Sequence, residues 1–332
     1  MPDPRPKVLV TTRLFDAAAA RFLEARGFAV VPSGLPPEAL DTDIPDATLA
    51  ALLQGVGGWI VGMRAVTRDL LAAHPGLKVI ARRGVGYDRV DAAAARALGR
   101  VVAITAGAND ASVADHTLAL MLAVLRRLKE NNAALAAGDW RVAAGADLTG
   151  KTVGLIGFGR TARGVARRLS GFEARVLVAA PRFEGPAPGV THVPLARLLA
   201  ESDVVSVHAP LTEQTRHLID AAALAAMKPG AILVNTARGG LVDDTALHAA
   251  VLSGHIAGAG LDVFEAEEDA ALRPLAQALA ALPQVVASAH AAGSSREALA
   301  RGNMIAAQCV AAVLAGEAAP EGCIVADGRA PA

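Results

Sequence analysis

The chain has 332 residues, enough for two domains of ordinary size, and its 32 basic and 32 acidic residues cancel. That balance leaves no large one-sign field, so neither nucleic acid nor a membrane surface is expected as a partner, and any anionic ligand must be met locally. Cys309 and Cys323 are the only cysteines, too few for a disulfide framework and without metal spacing near histidines; the opening MPDPRPKVLV is no secretory signal, and a cytoplasmic, metal-free protein is expected.

Apolar strand-like runs alternate with helical stretches, the pattern of an α/β protein with parallel sheets. Residues 7–12 (KVLVTT) predict a strand, 16–26 an alanine-rich helix, 28–32 a strand and 46–54 a helix. Strands continue at 58–62 (GWIVG), 78–81 (KVIA) and 101–104 (VVAI), and one long helix is expected over 109–137. Six more strands follow at 152–156 (TVGLI), 175–179 (RVLVA), 203–207 (DVVSV), 231–235 (AILVN), 257–261 (AGAGL) and 285–288 (VVAS), enough for a doubly wound sheet. From about 295 onward one further helix is expected.

Gly157-Phe158-Gly159-Arg160-Thr161-Ala162 follows the strand TVGLI and opens a helix expected from Ala162 to Leu169, the strand–turn–helix context that a dinucleotide-binding loop requires. Gly157 permits the tight turn and Gly159 lets a pyrophosphate approach the backbone. Ala162 takes the third glycine's place, where helix packing is decided. The anion would meet free N–H groups at the helix N-terminus, with Arg160 able to add a charge. An acid ending the second strand normally holds the adenosine ribose. Here that place is Ala180, followed by Pro181 and Arg182. No carboxylate would repel a 2′-phosphate there and Arg182 can pair with it. A charged hydrogen bond is worth about 1.5–3 kcal/mol, so NADP(H) is expected to be favoured over NAD(H).

Taken in order, RGVGYDRVD (Arg83 to Asp91), Gly107-Ala108-Asn109, Ser112-Val113-Ala114, Leu148-Thr149-Gly150-Lys151, His208-Ala209-Pro210-Leu211-Thr212 and Met227-Lys228-Pro229-Gly230 form a specific series. It continues through Val234 to Gly240 (VNTARGG), Gly260-Leu261-Asp262-Val263-Phe264 and His290. The series resembles the D-isomer-specific 2-hydroxyacid dehydrogenase family over nearly the whole chain. The resemblance implies two doubly wound parallel-sheet domains. Residues 1–101 and 295–332 would make a flavodoxin-like substrate-binding domain, the latter as a returning C-terminal helix, and 102–294 an inserted Rossmann cofactor domain. It further implies an active site in the cleft between them and a homodimer formed through the long helix and the arm around Trp140.

The residue types suit hydride exchange with a small 2-hydroxy or 2-keto acid. Arg238, after the strand AILVN, has a rigid fork that can pair with a carboxylate and reach the adjacent carbonyl oxygen. His290, before the small-residue loop Ala292-Gly293-Ser294, is the candidate general acid in reduction and general base in oxidation. Glu267, chosen within EAEED by register with the family motif, would hold the other ring nitrogen. By resemblance, Asp262 would accept from the nicotinamide carboxamide, and His208, Pro210, Thr215, Thr236, Ala237 and Gly293 would line the cofactor site. The loop Gly84-Val85-Gly86 would bind the substrate carboxylate through its N–H groups. Arg64 and Arg82 stand where phosphoglycerate dehydrogenases place cations for a substrate phosphate, although intradomain ion pairs are an equal reading.

Three positions depart from the family pattern: Asp115 for the usual Glu, and Glu268 and Ala289 for the usual prolines, which softens the loops beside Glu267 and His290. The alternatives are oxidation of a phosphorylated hydroxy acid and a dinucleotide-sensing, corepressor-like scaffold. The full Arg, Glu and His set argues against the scaffold. With no long C-terminal extension, feedback control by an appended domain is not expected.

Overall fold

In a computed structural model, which describes residues 4–36, 39–183 and 187–329, short apolar runs become parallel strands and the stretches between them helices. The first stretch of chain runs β1 (Lys7–Val10), α1 (Ala17–Ala25), β2 (Ala29–Pro32), α2 (Asp46–Leu52), β3 (Val56–Val61), α3 (Arg68–Ala73), β4 (Val79–Arg82), α4 (Ala92–Ala97) and β5 (Val101–Ile104). Then come α5 (Asp110–Leu125), α6 (Leu128–Ala136), β6 (Thr152–Ile156), α7 (Arg160–Leu169), β7 (Arg175–Ala179), β8 (Val190–His192), α8 (Leu195–Glu201) and β9 (Val204–Val207). The chain continues through α9 (Ala221–Ala226), β10 (Ala231–Asn235), α10 (Asp244–Leu252), β11 (Ile256–Leu261), α11 (Arg273–Ala281) and β12 (Val285–Ala287), and closes with α12 (Arg296–Ala315) and β13 (Ile324–Asp327). Two units result: Met1–Asn109 with Ser294–Ala332, and Asp110–Gly293.

The sheet of the first unit has the order β2-β1-β3-β4-β5-β13, a flavodoxin-like order with one added edge strand. Alternate residues of a strand enter opposite cores. Val8 and Val10 join Leu23 and Val310 on one face, while Leu9 joins Trp59 and Leu49 on the other. Burial on both faces is why such strands read as unbroken apolar runs. Helix α12 is long and apolar enough to cross a membrane, yet Ala306, Ala307, Cys309, Val310 and Ala311 belong to the core of this unit. The segment after it corrects the expectation of a single returning helix, because β13 pairs antiparallel with β5. β5 itself pairs with β4, so the first unit extends past residue 101 to Asn109.

The second unit has the order β8-β7-β6-β9-β10-β11-β12, the doubly wound dinucleotide-binding order with one strand added at the end. Seven strands stand where six were expected; the extra one, β8, has mostly solvent-facing residues and so lacks an apolar run. The order reverses between β6 and β9, and ligands of such sheets bind outside the carboxyl ends of the strands at that point.

The single helix expected over 109–137 is two helices. Leu125 O accepts from Ala146 N–H at 2.8 Å instead of from the next helical turn, and Arg127 adopts a left-handed φ of 50°. The returning chain comes so close that a Cβ on Gly145 would lie 2.4 Å from Leu125 O. Glycine at 145 therefore permits the contact that ends α5.

Candidate active site

At the carboxyl end of β6, Gly157 turns with φ 93°, and a Cβ there would lie 2.6 Å from His208 O. Both facts require glycine. Gly159 is the N-cap of α7, and a Cβ on it would meet nothing within 4 Å. That open space beside the N–H groups of the first turn of α7 fits a pyrophosphate. The helix starts at Arg160, two residues before the expected Ala162. Phe158 turns inward, 5.3 Å from the Phe183 ring and under the Arg163 guanidinium at 4.5 Å, so the loop offers a ligand its backbone, with Arg160 and Thr161 at the rim. Burial pushes the His208 imidazole down to about 4, so it is neutral at pH 7, with Ser206 Oγ 2.9 Å from Nε2. Thr215 is tied into its own turn, donating to Pro210 O at 2.7 Å. Arg182 is exposed beside Ala180 at the end of β7.

At the end of β10, buried Asn235 shapes the next three residues. Its Oδ1 accepts from Ala237 N–H at 3.0 Å and its Nδ2 donates to Arg238 O at 2.8 Å. Thr236 Oγ lies 2.9 Å from Thr117 Oγ, which donates to Val113 O, so Thr236 is the donor of that pair and its hydroxyl faces α5. Arg238 is half-buried and donates to Ala237 O at 2.7 Å.

Glu267 ends a 3-10 turn, Glu265–Glu267, after β11. Its Oε2 is 2.6 Å from His290 Nδ1, and its Oε1 accepts from Phe264 N–H at 3.2 Å. Burial alone would raise this carboxyl. The His290 bond and charge, the Phe264 N–H and the Arg238 charge outweigh burial and hold it below the ordinary range. An ionised carboxylate only accepts, so Nδ1 carries a proton and Nε2 is the nitrogen left for chemistry. The three residues Arg238, Glu267 and His290, far apart in sequence, thus share one electrostatic neighbourhood.

His290 sits in the left-handed region, φ 52°. Asp262, 1% exposed, holds that conformation from below. Its carbonyl accepts from His290 N–H at 2.7 Å; its Oδ1 accepts from Ser288 Oγ at 2.5 Å and Ala291 N–H at 2.8 Å, and its Oδ2 from Ala292 N–H at 2.9 Å. A carboxylate has about four acceptor sites, so one remains on Oδ2 for a carboxamide. Gly293 follows directly.

A family model for the NAD-binding domain of D-isomer-specific 2-hydroxyacid dehydrogenases matches residues 118–292. D-3-phosphoglycerate dehydrogenase of Mycobacterium leprae is 43% identical over 287 residues, covering 84% of this chain and 53% of its own. The chain belongs to the D-isomer-specific 2-hydroxyacid dehydrogenase family. It spans about half the length of the phosphoglycerate dehydrogenases it matches. Hydroxypyruvate reductase of Thermotoga maritima is 42% identical over 235 residues, 70% of this chain and 76% of that one. A solved structure from Thermus thermophilus superposes with TM-score 0.85 at 40% identity, covering 96% of this chain and 99% of the other.

Against the dehydrogenase pattern, two of the three departures acquire partners. Asp115 reaches Arg168 Nε at 2.5 Å. Glu268, in a proline's place, pairs with Arg216 at 3.1 Å. Ala289 precedes the loop clamped by Asp262. Within the first unit, Val85 and Gly86 are part-exposed beyond β4. Arg82 donates to Arg83 O at 2.5 Å and packs where a Cβ of Gly84 would stand. Arg64 donates to Ile44 O at 2.7 Å and pairs with Asp46. Among the described residues no cluster able to hold a metal occurs. Two contributors escaped the sequence reading: Asn235 and Ser288. Only Asn235, an Asx-turn residue ending a strand, carried a local signal.

Proposed function

We propose that the chain moves a hydride between a nicotinamide cofactor, NADP(H) in preference to NAD(H), and a small 2-hydroxy or 2-keto acid. The 2.6 Å contact between His290 Nδ1 and Glu267 Oε2, with the Arg238 charge acting on the same carboxylate, carries this reading. The nicotinamide, when bound, supplies or takes up the hydride. Gly157, Gly159 and the α7 N-terminus would hold its pyrophosphate, Asp262 its carboxamide, and Arg182 a 2′-phosphate. In reduction, Arg238 pairs with the substrate carboxylate and polarises the keto oxygen. His290 delivers the proton from Nε2 to that oxygen, and Glu267 stabilises the charged ring beforehand. In oxidation the proton returns to Nε2.

The engagement of Arg64 with Ile44 O and Asp46 supports a substrate without a second anion. Likeness to phosphoglycerate dehydrogenases supports a second reading, oxidation of a phosphorylated hydroxy acid. Leu128, Leu135, Trp140 and Val142 are each more than half exposed, which supports a homodimer covering α6 and the arm after it. Steady-state kcat/KM for glyoxylate, hydroxypyruvate and phosphohydroxypyruvate with NADPH and NADH tests the substrate and cofactor together. Turnover of an unphosphorylated keto acid with NADPH at least about tenfold better than with NADH is expected; a strong NADH preference overturns the cofactor reading, and no turnover overturns the reaction.

A further inference from the structure

Behind the Glu267 turn, three titratable side chains that the proposed reaction does not use close a hydrogen-bonded clasp. Asp244, the first residue of α10, and Glu265, the first residue of the Glu267 turn, exchange carboxylates across their main chains. Asp244 N–H donates to Glu265 Oε2 at 3.0 Å, and Glu265 N–H donates to Asp244 Oδ2 at 3.0 Å. The remaining Glu265 oxygen, Oε1, lies 2.6 Å from His217 Nε2. His217 is anchored too, its N–H donating to Gly240 O at 2.8 Å from a left-handed φ of 51°. The segment runs on to Ile219, which donates to Leu241 O at 3.0 Å and accepts from Asp243 N–H at 3.0 Å.

The clasp joins two loops that already touch. A Cβ on Gly239 would lie 2.1 Å from the Phe264 carbonyl carbon, an approach only glycine allows. Gly239 follows Arg238, and Phe264 precedes the Glu267 turn, so neither loop can slide without breaking the exchange. Burial, the largest influence, raises the Asp244 carboxyl to about 7; the Glu265 N–H and His217 lower it, and the charges of Glu265 and Asp243 raise it. Protonation of Asp244 as pH falls below about 7 relieves its repulsion with the Glu265 carboxylate.

We propose that Glu265, Asp244 and His217 are positioning residues that lock the Glu267 turn to the Arg238 loop and so hold Glu267 at bonding distance from His290. The proposal rests on the reading of Glu267 and His290 as the acid–base pair. A double-mutant cycle in the full chain, with kcat as the readout and NADPH affinity and Tm as controls, tests it. Glu265→Ala is expected to lower kcat about tenfold to a hundredfold, the scale of a misplaced reacting group, while NADPH affinity stays within about twofold. On a Glu267→Gln background the same change is expected to lower kcat no further, because Glu265 acts through Glu267. A full multiplicative loss on that background, or no loss on the wild type, would overturn the clasp. Unchanged kcat in Glu267→Gln alone would instead refute the acid–base reading, and the clasp's role with it. Should Glu265→Ala not fold, Glu265→Gln, which keeps one acceptor oxygen, runs in the same cycle with a smaller expected loss.

Discussion

Ser288 has one hydroxyl proton and two neighbours, Asp262 Oδ1 at 2.5 Å and His116 Nε2 at 2.8 Å. The carboxylate can only accept, so the hydroxyl donates to Asp262 and must itself accept from His116, which fixes a proton on His116 Nε2. The short chain aims Asp262 at the N–H groups of Ala291 and Ala292 and thereby supports His290 in a backbone region that costs a non-glycine residue about 1 kcal/mol or more. Ser288→Ala removes one charged hydrogen bond. It should destabilise the fold by about 1.5–3 kcal/mol in urea titration and lower kcat about tenfold through the loosened His290 loop. Full stability and full kcat together would show that the Asp262 main-chain bonds suffice.

Asp244 sits at an element boundary, the start of α10, and its carboxyl is protonated more readily in the fold than in the unfolded chain, where it titrates near 3.8. Between about pH 4 and 7 the folded state therefore holds a proton that the unfolded state has lost, so this group's stabilisation falls as pH rises through that window. The Tm difference between wild type and Asp244→Asn should drift against the wild type across that range; parallel Tm–pH curves would contradict the raised value. The same junctions mark how far elements were legible in the sequence. Continuous apolar runs such as AILVN and TVGLI announce strands buried on both faces, and Arg238 and His290 stand out at strand ends among small neighbours. Glu267 required register within EAEED, and no local signal separates it from Glu265, whose carboxylate points to α10. The α5 break was hidden because Gly145, which ends the helix, lies 20 residues beyond it. β8 is a short edge strand held by its neighbour rather than by an apolar pattern, and the apolar run of β13 is only three residues long.

For the whole molecule, an 83%-exposed Trp140 beside an 84%-exposed Val142 leaves more apolar surface on the arm than one chain has reason to show. Light scattering should report a dimer for the wild type and a monomer for Trp140→Glu; a wild-type monomer would remove the dimer proposal. The proposed chemistry rests most on one imidazole. The decisive measurement is kcat of His290→Ala against wild type on the best keto acid of the panel, with cofactor affinity measured in parallel. The expected result is a loss of about 10²- to 10⁴-fold with the reduced cofactor still bound normally; near-normal turnover in the variant would contradict the assignment of the His290–Glu267 pair as the acid–base centre.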